Sequence, residues 1–550
     1  MINIQKVNQF LITIYYLKLS QILWRIYYFI KPRYLNSIPK NCEINLLKPK
    51  TKWLKKSNSI LDKNKFIFLN KTNHIRTDLS LEKQDFNKLW LYNLNYFDYL
   101  NSELSKVNQN FSIEFIDRWI REIKTPQYFG YDPYPTSLRI VNWIKFYLVK
   151  GHIKDNVKSS LFIQTELLFY NLEWHLLGNH ILANAKALIY SGLFFQGKTS
   201  KKWKSTGIQI YKKQIKAQIL PDGGHFEKSP MYHSIILEDI LDLINISSNN
   251  HHLLPKDFVN ELVSTAEKML SWLRVMSYKN GETPHFNDST KNISHNIKTL
   301  TKYAKSLNIK TLGLYNIDNK ISVRHLRSSG FLRIDQTNAT SFLDVGSIGA
   351  SYIPGHAHAD TLSFETSFFN QRFFVNIGIS TYEKSDRRYL ERSTKSHNTV
   401  EVDKRNSSDI WSSFRVAARA KIVHLQTNKN KNKSIISCSH NGYNTIIKKN
   451  YHNRKWIFQQ NKIIIMDNIT LIDSSAIAHF ILHPNIDVIK NKTNKNYTLI
   501  NNNKRVNFTV ESGKEEIVKK LYASEFGVLS YTKCIAIKLH KGKSKISLSW

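Results

Sequence analysis

Cysteine is nearly absent: the 550 residues contain three, Cys42, Cys438 and Cys534. They lie far apart and are odd in number, which excludes a disulfide framework and a C-x-x-C metal site and leaves the redox compartment open. Acidic residues are also scarce, 42 Asp and Glu against 80 Lys and Arg, giving a formal net charge of +38. An excess of that size attracts polyanions, whether nucleic acid, an anionic membrane surface or an acidic polysaccharide. The motifs of nucleic-acid binding (helix-turn-helix, zinc-finger spacing, RNA-recognition signatures) are missing, so nucleic acid is set aside. The lysines are scattered among asparagine and isoleucine along the whole chain rather than gathered in one patch. Long apolar runs are missing too. Residues 10–17 and 22–30, the second interrupted by Arg25, are each too short to span a bilayer. No small-residue cleavage site follows them, so no secretory signal is expected. Peripheral membrane contact through a basic helix, or ordinary packing on a domain, are the two readings of this segment.

What is present points to a large folded protein. Hydrophobic residues at 41% and aromatics at 12% exclude wholesale disorder. The length exceeds one compact core, so two or three domains are expected. From about 85 to 320, apolar residues recur three and four apart, in 111–123, 138–149, 161–177, 181–195 and 231–243. Pro133, Pro135, Gly178, 221–224 and Pro255 punctuate them. Stacked helical hairpins that can close into a ring around a cleft follow from this. After about 325 the period becomes two, in 330–334, 341–345, 362–366, 372–375, 398–402 and 462–466. That is a large antiparallel, sandwich-like β region.

Three places carry chemistry. In Gly355-His356-Ala357-His358-Ala359-Asp360 the titratable residues alternate with alanine, and an extended backbone would project all three from one face. In Gly178-Asn179-His180 the asparagine follows a glycine break, so it reads as a helix N-cap or as an amide presented to a carboxylate. In 221–233, Ser229-Pro230 reads as a cap and first-turn pair, placing Tyr232 in the first turn of a helix. The positive helix end there is expected to lower the pKa of the phenol. Glu227 reads as a group that orients a neighbour.

Together these segments resemble the heparinase II/III-like polysaccharide lyases. The resemblance is carried by 132–143 (Asp-Pro-Tyr-Pro-Thr-Ser-Leu-Arg-Ile-Val-Asn-Trp), 178–180, 222–233, 355–360, 376–382, 396–400 and 410–415, in the family's order. It implies an α+β multidomain fold, an incomplete (α/α) toroid followed by an antiparallel β-sandwich. The expected division is 1–85 for a basic helical or extended N-terminal segment, 86–320 for the toroid and 321–550 for the sandwich. It also implies cleavage of a uronate-containing acidic polysaccharide by β-elimination, in which the C5 proton is removed and the C4 oxygen expelled. Carried over by motif, Asn179, helped by His180, neutralises the uronate carboxylate. Tyr232 is the acid, and also the base for one uronate stereochemistry, and His356 is the second acid/base. Tyr134, Arg139, His225, Glu227 and His233 are implied to bind substrate. No cofactor is required for the elimination. Family members that hold a structural zinc-type ion in the β domain place its ligands at positions matching His358, Asn376 and His397. Here an amide, Asn376, replaces the usual aspartate, which weakens metal binding unless Asp360 compensates.

Competing readings stay open on the residues alone. A C5 epimerase shares the proton removal, and a non-catalytic acidic-glycan-binding or assembly protein needs only the cleft. A glycoside hydrolase would need two facing carboxylic acids, and a metal hydrolase a second ligand cluster. The resemblance points to the cell envelope or periplasm and to surface-polysaccharide metabolism, whereas a missing signal would leave the protein cytoplasmic.

Overall fold

Proline and glycine set the helix ends that matter for the cleft. The computed structural model describes residues 4–31, 42–103, 106–250, 253–311, 321–430, 432–445, 448–471, 474–491 and 496–550. Two short helices come first, α1 (Ile4–Tyr15) and α2 (Leu19–Ile30). A three-stranded sheet follows, β1 (Ile60–Asp62), β2 (Lys65–Phe68) and β3 (Lys71–His74). The helical lobe comprises α3 (Lys88–Tyr96), α4 (Lys106–Glu122), α5 (Pro133–Lys150), α6 (Asp155–Tyr170), α7 (Gly178–Phe194), α8 (Lys198–Gln218), α9 (Pro230–Ser248), α10 (Lys256–Val275) and α11 (Ile297–Ser306). Helix α5 opens on Pro133 and stops at Gly151, whose φ of +78° suits glycine. Helix α9 opens on Ser229, whose hydroxyl accepts the Tyr232 N–H, with Pro230 in the first position. The long apolar stretch read as 161–177 does not stay helical. Helix α6 ends at Tyr170, and 171–177 turn back as a loop.

Consecutive helices pack as antiparallel neighbours, α7 on α8 and α9 on α10, in an incomplete (α/α) toroid. Its core takes in Leu47, Trp53, Phe66, Phe68 and Leu81 from the chain before α3. The stretch 42–85 therefore packs as part of the helical lobe.

The β lobe starts with a five-stranded antiparallel sheet, β4 (Ile321–Leu326), β5 (Phe331–Gln336), β6 (Ala339–Asp344), β7 (Phe364–Phe368) and β8 (Gln371–Phe374), in that order. An eight-stranded sheet runs from Ile422–Lys429 through Lys433–His440, His452–Gln459, Lys462–Ile469, Lys543–Ser549, Lys504–Ser512 and Asn496–Asn501 to Asp487–Lys490. Lys514–Glu525, Val528–Lys538, Ala476–Ile481 and Val400–Val402 make a four-stranded sheet. Their inner faces share one core, which includes Leu332, Phe364, Phe458, Phe480 and Ile546. The expected division at 320/321 falls beside 312–320, which lie outside the described residues.

The lobes are joined by buried polar contacts. Asp222 accepts the Ser329 N–H at 2.7 Å, Trp272 Nε1 donates to Ser329 Oγ at 2.9 Å, and Arg333 donates to the Ser277 carbonyl at 2.5 Å. Two glycines meet where the chain enters the β lobe: a Cβ on Gly330 would lie 2.3 Å from the Gly346 Cα.

Candidate active site

Residues 355–360 form a turn and loop, not a strand, so the expected common face for His356, His358 and Asp360 does not exist. The two histidines instead clamp one carboxylate from the helical lobe. His356 Nδ1 lies 2.8 Å from Asp288 Oδ2, and His358 Nε2 lies 2.8 Å from Asp288 Oδ1. Arg388, in the short helix α12 (Asp386–Arg392), donates to both oxygens at 2.5 and 2.7 Å. Burial alone would raise the Asp288 pKa. The Arg388 guanidinium and the two imidazole hydrogen bonds win, holding it well below the usual carboxylate range. An ionised carboxylate only accepts, so Nδ1 of His356 must carry a proton, and in the neutral ring Nε2 is the nitrogen with the lone pair. Asp288 was not singled out by sequence reasoning. The one local signal is the polar His285-Phe286-Asn287-Asp288 stretch after Pro284.

The His356 ring stacks on the Tyr232 ring, with centroids 3.9 Å apart and planes 27° apart. The Tyr232 hydroxyl sits 3.2 Å from that of Tyr382. The expected lowering of the Tyr232 pKa is overturned. Burial first, then the neighbouring Tyr382, Asp288 and Glu227, push the phenol well above its ordinary value, so the helix end does not decide the outcome. Tyr232 is thus held as a neutral phenol, suited to give a proton rather than to take one.

Asn179 is not the cap of α7. The helix begins at Gly178, the preceding Leu177 has φ +64°, and Asn179 lies inside the first turn. Glu227 does the capping: its Oε1 accepts the Asn179 backbone N–H at 3.1 Å, and its Oε2 accepts Asn179 Nδ2 at 3.2 Å. Glu227 Oε2 is also 3.6 Å from His356 Nε2. Asn179, Glu227, His356 and Tyr232 are therefore one contiguous cluster at the seam between the lobes. His180 lies beside it, bonded through Nδ1 to Glu173 Oε1 at 2.9 Å and packed on Tyr134 with centroids 4.6 Å apart. Burial disfavours its charge, but attraction to Glu173 outweighs that and raises the His180 pKa. Glu173, on the 171–177 loop, was also missed, because that stretch reads as helix.

Three residues expected to bind substrate are core residues. Arg139 is 0% exposed. It donates to Gln164 at 2.7 Å and to the Gly130 carbonyl at 2.8 Å, and its guanidinium lies over Trp119 at 4.1 Å. His225 pairs with Gln218 at 3.0 Å. His233 stacks on Trp272 and faces the Met269 carbonyl at 2.9 Å. Burial depresses both histidine pKa values. All three brace the helices beneath the cleft. Tyr134 does reach the cleft, and Glu227 orients Asn179.

A cavity of about 630 Å³ opens from Tyr134, Tyr232 and Tyr382 toward the toroid interior. Its other walls come from the hairpin residues Leu69 and Asn70, and from Glu525 and Phe526 of the β lobe. The basic excess of the chain is not concentrated here, since each lysine of the lining is matched. Lys145 pairs with Asp242, Lys186 with Asp239 and Asp242, Lys56 with Glu238, and Lys291 with Glu282.

Of the residues matching the family's metal ligands, Asn376 is the one that does not suit a dication. His358 Nδ1 faces His397 Nε2 at 3.3 Å, and its other nitrogen bonds Asp288, so this pair by itself does not exclude a metal. The amide oxygen of Asn376 accepts the Asn398 N–H at 3.2 Å, which leaves a donor, the buried Nδ2, as its unpartnered atom. Asp360 does not compensate. It lies against Asp344 and Lys228, and burial together with Asp344 raises its pKa well above normal. Among the described residues no cluster of three or more His, Cys, Asp or Glu could hold a metal ion.

Two family models match the chain, "Heparinase II/III N-terminus" over residues 157–310 and "Heparinase II/III-like, C-terminal" over residues 319–550. The chain belongs to the heparinase II/III-like family. A heparin-sulfate lyase of Bacteroides stercoris is 28% identical over 245 residues, covering 42% of this chain and 36% of that protein. One from Pedobacter heparinus is 26% identical over 247 residues, with the same coverage. The match thus spans little more than a third of the length of these curated relatives. A crystal structure of heparinase III covers 96% of this family member and 88% of its own chain, with a TM-score of 0.66 at 18% identity. That likeness establishes the shared toroid and β-sandwich fold.

Proposed function

We propose that the protein is a polysaccharide lyase that cleaves a uronate-containing glycan by β-elimination. The observation that carries the reading is the stacked Tyr232–His356 pair at the seam of the lobes, with Asn179 and His180 beside it. A carbon acid next to a carboxylate loses its proton only if the growing charge is offset. His180, its pKa raised by Glu173, and the amide of Asn179 supply that offset, the substrate carboxylate competing with Glu227 for Asn179 Nδ2. Nε2 of the neutral His356 ring, whose tautomer the Asp288 bond at Nδ1 sets, takes the C5 proton. Tyr232 gives its proton to the departing O4 as the C4–O bond breaks and the C4=C5 double bond forms. Solvent then returns the proton from His356 to Tyr232.

The curated relatives are named for heparin sulfate, but the matched lysines of the cavity favour a sparsely sulfated uronate chain for this protein. Little uncompensated positive charge is left there for sulfate groups. The test is a panel of hyaluronan, alginate, chondroitin sulfate and heparan sulfate, followed by the ultraviolet absorbance of unsaturated uronate. Absorbance should rise with at least one polymer, faster with the unsulfated ones, and Tyr232→Phe should lower the rate about 10²–10⁴-fold with binding kept. Full activity in Tyr232→Phe would remove the phenol from the chemistry. Solvent deuterium entering the polymer without absorbance would make the protein an epimerase.

A further inference from the structure

The two N-terminal helices are built inside out. Apart from the rings of Trp24 and Tyr28, which pack on Trp174 and His175, their protein-facing contacts are polar: Gln9 donates to Asp409 at 2.9 Å, Trp411 donates to Thr13 at 3.0 Å, and Gln21 donates to the Leu176 carbonyl at 3.3 Å. Thr13 and Gln21 are the buried residues of the pair, with Gln21 only 1% exposed. Most of the large apolar residues face outward instead. Among the described residues, ten large apolar side chains of α1 and α2 are exposed, including Leu11, Leu19, Leu23 and Ile30, with Tyr15 at 83% and Phe29 at 93%. Among the described residues, no apolar side chain of these helices joins a hydrophobic cluster of the fold. Single exposed apolar residues are ordinary, but a contiguous patch of this kind marks a surface made for an apolar partner.

The charge of the same segment indicates which partner. Residues 4–31 contain Lys6, Lys18, Arg25 and Lys31 and no Asp or Glu, within a chain of net charge +38. Apolar side chains beside cations, on helices of 12 residues each, are the composition of a surface-lying membrane helix. Neither helix can cross a bilayer, since among the described residues no helix is long and apolar enough. We propose that the outer face of α1 and α2 docks the protein on a membrane surface rich in anionic lipid. The helices sink their apolar faces to the acyl boundary while the positive charge along the segment attracts the anionic headgroups.

The docking face is tied to both lobes. Helix α2 holds the 171–177 loop, with Arg25 donating to the His175 carbonyl at 3.2 Å, and Trp24 stacks on Trp174. Helix α1 holds Asp409 and Trp411 of the β lobe. A membrane-bound protein would therefore present the seam between the lobes in a fixed orientation to the surface. This inference does not depend on the lyase reading, because its readout is binding.

The test is co-sedimentation of the full chain with vesicles of phosphatidylcholine containing about 30% phosphatidylglycerol, and with pure phosphatidylcholine, in about 0.15 M salt. The comparison protein carries Leu19→Ser, Leu23→Ser, Phe29→Ser and Ile30→Ser, all at exposed positions away from the cleft. The wild type should pellet with the anionic vesicles, and the serine variant should bind at least about tenfold more weakly at unchanged thermal midpoint. No pelleting of the wild type would overturn the proposal. Equal pelleting of the variant would overturn it too, by assigning binding to the rest of the basic surface. Self-association abolished by the serines, without vesicle binding, would give the face to a second copy of the chain.

Discussion

Replacing Asp288 by asparagine tests the electrostatic centre of the site. Asp288 is fully buried and accepts four charge-assisted hydrogen bonds, two from Arg388 at 2.5 and 2.7 Å and one from each of His356 and His358 at 2.8 Å. Asparagine keeps the volume but loses the charge and turns an N–H₂ toward donors. Arg388, whose side chain is 1% exposed, would then be a buried cation without a counter-ion. Breaking such a pair costs about 3–5 kcal/mol, less than the sum of four separate bonds because they share one carboxylate. At about 2–4 °C per kcal/mol for a unit of this size, the thermal midpoint should fall by roughly 6–20 °C. The kinetic effect is separate. Without the carboxylate, His356 can place its proton on Nε2 and present a donor to the cleft, lowering turnover about 10²–10⁴-fold below the unfolding temperature. A double-mutant cycle on the unsaturated-uronate assay distinguishes the two effects. If Asp288 acts through His356, Asp288→Asn should cost turnover little further in a His356→Ala background. Fully additive losses, or an Asp288→Asn protein within about 1 kcal/mol and tenfold of wild type, would refute the tautomer argument.

Three other perturbations follow from the geometry. Gly178→Ala would put a Cβ 2.5 Å from Glu227 Oε1 at a residue with φ +60°, so it should cost about 1–3 kcal/mol by thermal denaturation and also slow turnover by displacing Asn179. The Glu173–His180 pair raises the His180 pKa. Its stabilisation is fully present below about pH 6.5, the ordinary histidine value, and is lost as pH rises through the elevated folded value. The stability gap between wild type and His180→Gln should narrow over that upper range and stay flat below it, as read from thermal midpoints in a buffer series. Dialysis against a chelator should leave the thermal midpoint within about 1 °C, since stripping a structural zinc would remove many kcal/mol of folding energy. A large drop would mean that His358 and His397 hold a metal after all.

The change of period from 3.6 to 2 near residue 320, the capped start of α9 at Ser229-Pro230 and the seven ordered segments are local patterns, and each is written in consecutive residues. Local pattern therefore determined the two lobes, the family and the place of Asn179, Tyr232 and His356 in its motifs. Tertiary structure alone decided what those groups can do. Asp288 meets His356 across 68 positions and Arg388 across 100, and no periodicity reports a contact between segments that far apart. Arg139 and His225 sit in motif-like segments, yet only the packing shows that helices cover them. Tyr232 sits at a helix start, which by itself lowers a phenol's pKa. The dielectric around it is set by the side chains of both lobes closing over the ring, and there burial exceeds the dipole.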